Sequence, residues 1–424
     1  HGATAPRNLF AELLGKSDAA VAAKRDAGWR QLFYGDNQTE RVYYPVGPDM
    51  AYIADVGSQD VRSEGMSYGM MIAVQMDHRE EFDRLWRWAK TYMYHADGPR
   101  RGYFAWHCSF DGRQIDPGSA SDGEEWFATA LLFASHRWRS AAGGSDGGAK
   151  GSGGRPDHPL APMAVGTTVA TSQPPIGGEA SPPPSSVDYA AEAQALLPEM
   201  RHKDDDEITA IFDHNRHQVV FAPTREGAQF TDPSYHLPAF YTLWARWSEN
   251  AADRAFWSDA ATESRAFLRR AAHPKTGLMP EYAHFDGRPF PGAAFGGGKD
   301  DFRFDAWRTL ANVALDHAWF AADPWQVEQS NRVLRFLVSH APNIPNQFTL
   351  DGKPLSGDVS IGLIAMAAVA GLAADPELAR PFVQRLWDAS IPAGQWRYYD
   401  GLLYQLALLQ VSGNFKIYES ISPN

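Results

Sequence analysis

Three acidic residues stand at the polar start of strongly apolar helical segments. Glu64, Asp122 and Asp305 each precede a run rich in large apolar residues. An acid in this position ordinarily caps a helix, because its carboxylate satisfies free backbone N–H groups and complements the helix dipole. Helices that are apolar nearly all round must pack together in a core, which would bring their starts to one shared surface. The pattern therefore predicts a paired-carboxylate active site, with simple helix capping as the alternative.

Hydrolysis of a glycosidic bond is a reaction that such a pair can perform. It needs a protonated acid for the leaving oxygen and a second carboxylate that activates water or attacks the sugar. Glu64 and Asp305 can fill these roles. A negative charge on Asp122 and partial desolvation would both raise the pKa of Glu64 against the helix dipole. Arg62 and Arg308 would act in the other direction and keep Asp305 ionised as a base.

Two kinds of helical segment alternate along the chain and would position these acids. Amphipathic segments are predicted over 18–32, 80–94, 188–200, 252–272, 325–340 and 376–390. Each precedes a more apolar segment, over 64–76, 122–136, 236–247, 305–320, 361–374 and 400–412. Six outer and six inner helices indicate an all-α fold, the (α/α)6 barrel, whose inner helix starts line one end. A superhelical solenoid is the alternative, but its repeat would be regular, and this spacing is not.

The loops between these helices indicate smaller elements and one insertion. Short β-like runs over 35–62, 98–120 and 202–231 predict minor β-hairpins. Residues from about 141 to 187 are rich in Gly, Ser and Pro, with few large apolar side chains that could offset the entropy of ordering. We interpret this segment as a disordered or loosely packed insertion within a single catalytic domain of residues 1–424. An interdomain linker is disfavoured because similar helices lie on both sides.

Composition limits the possible partners. The net charge of −12 argues against nucleic acid, whose phosphates are bound by clustered Lys and Arg. Aromatic residues make up 12% of the chain, and rings of this kind can stack on sugars as well as fill a core. No apolar run is long enough for a transmembrane helix. We expect a monomer. The start at His1 rather than Met suggests processing, and both cytoplasm and export stay open.

No metal or organic cofactor is expected. The single cysteine, Cys108, can form neither an intrachain disulfide nor a zinc knuckle. One polar cluster follows no standard zinc or EF-hand spacing, so a solvated loop is the better interpretation. Its members are His202, Asp204, Asp205, Asp206, Glu207, Asp213, His214 and His217.

Longer motifs resemble one enzyme family. Residues 60–71, with the sequence DVRSEGMSYGMM, strongly resemble the catalytic-acid motif of glycoside hydrolase family 8. The motifs that follow in order resemble its xylan-active branch: GYFAW at 102–106, SDGEE at 121–125, DPSYHLP at 232–238, RYYD at 397–400 and SGNFKI at 412–417. The resemblance extends from Asn8 to Tyr418, apart from the insertion.

The resemblance implies the (α/α)6 barrel, an inverting mechanism and a role for each acid. Glu64 matches the general acid of the family, Asp305 the general base, and Asp122 the acid that holds the distorted sugar at subsite −1. Tyr235 would help to place the water or that sugar, with Tyr241 as a substitute. The remaining matches are substrate-binding residues, with Trp106 as a stacking platform and Arg62, Arg308 and Tyr399 in the cleft.

Within the family, the chain most resembles the reducing-end xylose-releasing exo-oligoxylanases, which remove one xylose from short xylo-oligosaccharides. Those enzymes close the cleft with a Leu-His-Pro kink, and the comparable residues here are Asp358, Val359 and Ser360. An endo-β-1,4-xylanase is therefore the main alternative. A β-1,4-glucanase, a chitosanase or a non-catalytic glycan-binding toroid are further alternatives.

Overall fold

The computed structural model describes residues 6–138, 187–203, 205 and 207–419. The predicted insertion at about 141–187 lies outside the described residues, apart from Val187. The described residues form thirteen α-helices: α1 (Leu9–Leu14), α2 (Asp18–Tyr34), α3 (Ser63–Met76), α4 (Arg79–Trp88), α5 (Ser121–Arg137), α6 (Tyr189–Arg201), α7 (Pro238–Trp247), α8 (Ala251–Ala271), α9 (Arg308–Phe320), α10 (Trp325–Val338), α11 (Ile361–Ala370), α12 (Pro376–Asp388) and α13 (Arg397–Val411).

Six of these helices form a closed inner ring, in the order α3, α5, α7, α9, α11 and α13. α3 packs on α5, α7 on α9, α9 on α11, α11 on α13, and α13 returns to α3. Side chains join α5 to α7: Trp244 Nε1 donates to Thr129 Oγ1 at 3.1 Å, and the rings of Trp126 and Phe240 lie 5.0 Å apart. The predicted (α/α)6 barrel is confirmed.

The other six long helices surround this ring. Each packs on the inner helix that precedes it in the chain, so α4 covers α3, α6 covers α5 and α12 covers α11, while α2 covers α13. Their amphipathic pattern has the expected cause. In α4, Phe82, Leu85 and Trp86 are buried while Glu80 is exposed. All twelve predicted segments are helical, and only the short α1, which packs on α12, was not predicted.

The apolar character of the inner helices follows from burial on all sides. Every residue of α11 from Gly362 to Ala370 is buried, and α5 is buried from Ser121 to Ala134. Large aromatic side chains fill the spaces between the two layers, and burying each contributes about 1.5–3 kcal/mol. Five tryptophans are almost fully buried: Trp86, Trp88, Trp244, Trp257 and Trp307.

The loops at the barrel end carry one antiparallel sheet of five strands. It contains β1 (Tyr43–Val46), β2 (Met50–Asp55), β3 (Asp60–Arg62), β4 (His107–Cys108) and β5 (Gln114–Asp116), in that order. The hairpins expected over 35–62 and 98–120 are thus parts of one sheet, because Arg62 pairs with His107. A separate hairpin joins β6 (Phe212–Asp213) to β7 (Gln218–Val219). Strand β3 runs directly into α3 and so fixes its start.

Two further observations concern the whole described chain. No helix within these residues has both the length and the apolar character needed to cross a membrane. Across the same residues, no three His, Cys, Asp or Glu side chains are grouped so that they could hold a metal ion.

Candidate active site

The starts of the inner helices meet at one buried guanidinium group, that of Arg308. Its Nη1 donates to Glu64 Oε2 at 2.8 Å and to Asp122 Oδ2 at 3.0 Å. Its Nη2 lies 3.4 Å from Asp305 Oδ1. One arginine at the start of α9 therefore brings together the three acids that the sequence singled out. Its contacts with Glu64 and Asp122 are shorter than its contact with Asp305.

Each acid is held by a different element. Glu64 and Asp122 are the second residues of α3 and α5. Asp305 lies in a 3-10 turn, Phe304–Trp307, that precedes α9, whereas the pattern predicted a helix from 305. The indole Nε1 of Trp307 anchors this turn by donating to the Asn346 carbonyl at 3.0 Å. The Asp305 side chain is 31% exposed and that of Asp122 only 5%, so Asp305 has far better access to water.

Three neutral side chains complete the shell around the acids. None of them has a role predicted from the sequence. The Tyr398 hydroxyl donates to Glu64 Oε1 at 3.0 Å, so both oxygens of Glu64 accept a hydrogen bond. Arg308 also donates to the Tyr68 hydroxyl at 2.8 Å and to Ser234 Oγ at 2.9 Å. All three lie inside motifs that were recognised, but their partners are distant in sequence.

The environment of Glu64 suits an acid. Burial raises the pKa of Glu64 to about 7, and although the Arg308 guanidinium opposes this rise, the charges of Asp122 and Asp305 reinforce it. Burial likewise raises the pKa of Asp122, against the opposing charge of Arg308. Three carboxyl groups share one buried cation, which favours keeping a proton within the group. The charge of Asp122 raises the pKa of Glu64, which is the direction that the sequence predicted.

The acids open into a cleft of about 1190 Å³. Trp106 lies at its wall, fixed by Ser63 N donating to the Trp106 carbonyl at 3.0 Å and by its own N–H donating to the Gly118 carbonyl at 2.7 Å. Arg62 also lines the cleft but pairs with Asp55 at 3.2 Å and Asp60 at 3.1 Å, rather than with Asp305.

Both predicted tyrosines line the same cleft. The Tyr235 ring lies 5.5 Å from the Arg308 guanidinium, and the Tyr399 hydroxyl donates to the Phe304 carbonyl at 3.0 Å, beside the base candidate. Tyr241 is buried within α7, where its hydroxyl donates to Glu125 and to the Tyr235 carbonyl. The second of these hydrogen bonds holds the backbone of Tyr235 in place. Of the eight predicted site residues, only Arg308 lies beneath the cleft rather than on its lining.

The residues that replace the Leu-His-Pro kink form part of the cleft wall. Ser360 Oγ donates to Asp400 Oδ1 at 2.5 Å, and Asn346 N donates to the Asp358 carbonyl at 2.8 Å, which ties this segment to α13 and to the loop between α10 and α11. Val359 is 50% exposed there and Trp396 is 71% exposed. The wall is present, but its exposed residue is the apolar Val359, at the position that is a histidine in the Leu-His-Pro kink.

Comparison with known proteins identifies relatives over nearly the whole chain. The model of glycosyl hydrolases family 8 matches residues 52–150 and 220–413. The reducing-end xylose-releasing exo-oligoxylanase Rex8A of Paenibacillus barcinonensis is 43% identical over 97% of this chain and 96% of its own. Its structure in complex with xylose aligns with a TM-score of 0.83, at 42% identity and with 98% of each chain covered.

Two further relatives matter for specificity. A reducing-end xylose-releasing exo-oligoxylanase of Halalkalibacterium halodurans is 38% identical over 97% of this chain and 94% of its own. A family 8 xylanase of Teredinibacter turnerae, solved as a catalytic mutant with xylohexaose, is 40% identical, covers 98% of both chains and has a TM-score of 0.84.

Proposed function

Since this chain belongs to glycoside hydrolase family 8, we propose that it releases xylose from the reducing end of β-1,4-xylo-oligosaccharides with inversion of configuration. The relatives named for this activity match the chain almost from end to end, which supports the substrate class. One observation carries the catalytic part of the proposal: Glu64 and Asp305 contact different terminal nitrogens of Arg308. Glu64 lies in α3 and Asp305 in the turn that leads into α9, and these two helices lie across the ring from each other.

Glu64 is the general acid in this proposal. A carboxyl group with a pKa near 7 keeps a substantial protonated fraction at neutral pH, so it can give its proton to the departing glycosidic oxygen. Tyr398 and Arg308 hold the two oxygens of the group and fix its orientation. After proton transfer, the Arg308 charge stabilises the carboxylate that forms.

Asp305 is the general base. Its exposed fraction lets it bind a water molecule on the side of the sugar opposite the acid, as inversion requires. Its Oδ1 lies 3.4 Å from Arg308 Nη2, within ion-pair distance. Asp122, on the inner helix next to that of Glu64, is placed to accept hydroxyl hydrogen bonds from the sugar that undergoes attack. The Tyr235 ring lies over the same guanidinium and would bound the water site.

The ring order gives the direction of the substrate. Because the substrate passes between Glu64 and Asp305, it extends toward α5 and α7 on one side and toward α11 and α13 on the other. Asp122 belongs to the first side, so the minus subsites lie there. The leaving xylose then lies near Val359 and Trp396 on the second side.

An endo-acting xylanase is the second candidate. The specific observation in its favour is the sequence Asp358-Val359-Ser360, which lacks the histidine of the kink, together with the similarity to a family 8 xylanase solved with xylohexaose. An exo enzyme needs this wall to stop the chain beyond one leaving sugar. An endo enzyme needs the chain to pass over it.

Product analysis distinguishes the two candidates. Xylotriose, xylohexaose and polymeric xylan are digested separately, and product sizes are followed during the first minutes. The exo proposal predicts xylose and the oligomer shortened by one from each oligosaccharide, with little change in the polymer. A ladder of intermediate products from xylan would identify an endo enzyme. If none of the three substrates gave an increase in reducing ends, both candidates would be excluded.

A further inference from the structure

One cation in the cleft has no carboxylate partner. Arg100 lines the cleft and lies near His95, whose Nε2 is 2.9 Å from the Pro117 carbonyl, beside the Gly118 carbonyl that accepts from Trp106 N. Among the described residues no acid lies within ion-pair distance of Arg100. Its Nε is buried without a hydrogen-bond partner in the same part of the chain. The two other cations that line the cleft are neutralised, since Arg62 pairs with Asp55 and Lys299 pairs with Glu281 at 3.3 Å. Arg100 is thus the exception.

The exception is notable because this chain has an excess of acids. With 51 acidic against 39 basic residues, carboxylates outnumber the cations that could pair with them. Its neighbour illustrates this, because Arg101 lies outside the cleft and pairs with Glu199 at 3.0 Å. A buried donor without a partner costs free energy unless a ligand supplies an acceptor. The local backbone holds Arg100 in place through Tyr103 N, which donates to the Arg100 carbonyl at 3.0 Å.

The position of Arg100 identifies the part of the substrate that it would meet. Trp106 and the Ser119–Asp122 segment belong to the minus side of the cleft, where the sugars that stay in the longer product lie. A guanidinium group binds a carboxylate in a planar, two-point arrangement that it does not match with a single hydroxyl group. We propose that Arg100 forms a subsite for a carboxylate-bearing substituent, a uronosyl group, on a minus-side xylose. This inference rests on the proposed function.

The test compares two substrates that differ only in charge. kcat/KM is measured for xylotetraose and for xylotetraose with a uronosyl substituent on a minus-side xylose, with wild type and R100M. R101M is the matched control, because it removes a neighbouring arginine outside the cleft. We expect R100M to lower kcat/KM for the acidic substrate roughly ten-fold, as for the loss of a charge-assisted pair, and to leave bare xylotetraose within about two-fold. R101M should change neither value.

Salt provides a second readout. In wild type, the ratio of kcat/KM for the acidic substrate to that for the bare one should fall as ionic strength rises, and in R100M the ratio should stay constant. An equal loss on both substrates would mean that Arg100 binds main-chain hydroxyl groups or supports the loop, and would overturn the inference. So would wild-type-like ratios in R100M. If wild type failed to cleave bare xylotetraose, the proposed function itself would fail instead.

Discussion

At the scale of single residues, the proposed mechanism requires Glu64 to act as a general acid and not only as a helix cap. The variant E64Q keeps the size of the side chain and one oxygen that can accept from Arg308, but has no proton of suitable acidity. We expect kcat on xylotriose to fall by about 10²–10⁴-fold, the usual contribution of general acid catalysis. Isothermal titration with xylohexaose should still report binding. Full activity in E64Q would reduce Glu64 to a cap.

The pKa of Glu64 predicts a pH profile. Because the acid must carry its proton, kcat/KM should fall as the pH rises through about 7. Asp122 raises the pKa of Glu64 by charge, so D122N should move this alkaline limb to lower pH, whatever it does to the maximal rate. Arg62 lowers the same pKa, so R62Q should move the limb to higher pH. Shifts in the same direction for both variants would contradict this electrostatic account.

The sequence singled out the three acids that meet at Arg308 because their types and motifs are local features. It could not identify Tyr398 or Tyr68 as their partners, since each contact joins residues far apart in the chain; Tyr398 and Glu64 are separated by 334 positions. It also could not show that Arg62 forms ion pairs with Asp55 and Asp60. Opposite charge shows which residues could form an ion pair, but the fold decides which of them lie close enough to do so.

At the scale of elements, the close approach of α3 and α5 is what brings Glu64 and Asp122 to one arginine. Gly123 makes this approach possible, because a Cβ there would lie 2.5 Å from Ser63 Oγ. We expect G123A to lower the free energy of unfolding by about 1–3 kcal/mol and to reduce kcat, because the two helix starts must separate. Thermal melts and xylotriose assays would measure both effects.

A matched substitution provides the control for this prediction. At Gly357, an added Cβ would meet nothing within 4 Å, so G357A should leave the melting temperature unchanged. If G123A were as stable and active as wild type, the start of α3 would not be held as tightly as the account requires.

The twelve barrel helices could be predicted because outer and inner helices differ in hydrophobic periodicity. The five-stranded sheet could not, because the two-residue strand β4 has no periodicity of its own and depends on pairing with β3, some 45 residues earlier. The boundary at Asp305 was also missed. The pattern predicts one helix over 305–320, whereas the first three residues of this segment, together with Phe304, form a tighter 3-10 turn whose Trp307 is anchored to Asn346.

At the scale of the whole molecule, we predict that the segment at about 141–187 is dispensable for the barrel. The residues that flank it are already close together, since the rings of Trp138 and Tyr189 lie 6.0 Å apart at the ends of the packed helices α5 and α6. Replacing residues 141–186 with a short Gly-Ser linker should leave the melting temperature and kcat/KM on xylotriose unchanged. A large loss of either would show that the segment contributes to the fold or the cleft.

The most direct test of the central claim is the anomeric configuration of the first products. If Glu64 and Asp305 act across the ring on a β-linkage, water attacks from the face opposite the leaving group. Proton NMR during the first minutes of xylotriose hydrolysis should then show xylobiose in the α configuration, together with free xylose, before mutarotation. Xylobiose released first in the β configuration would contradict the account, because it would mean that one carboxylate attacks the sugar directly.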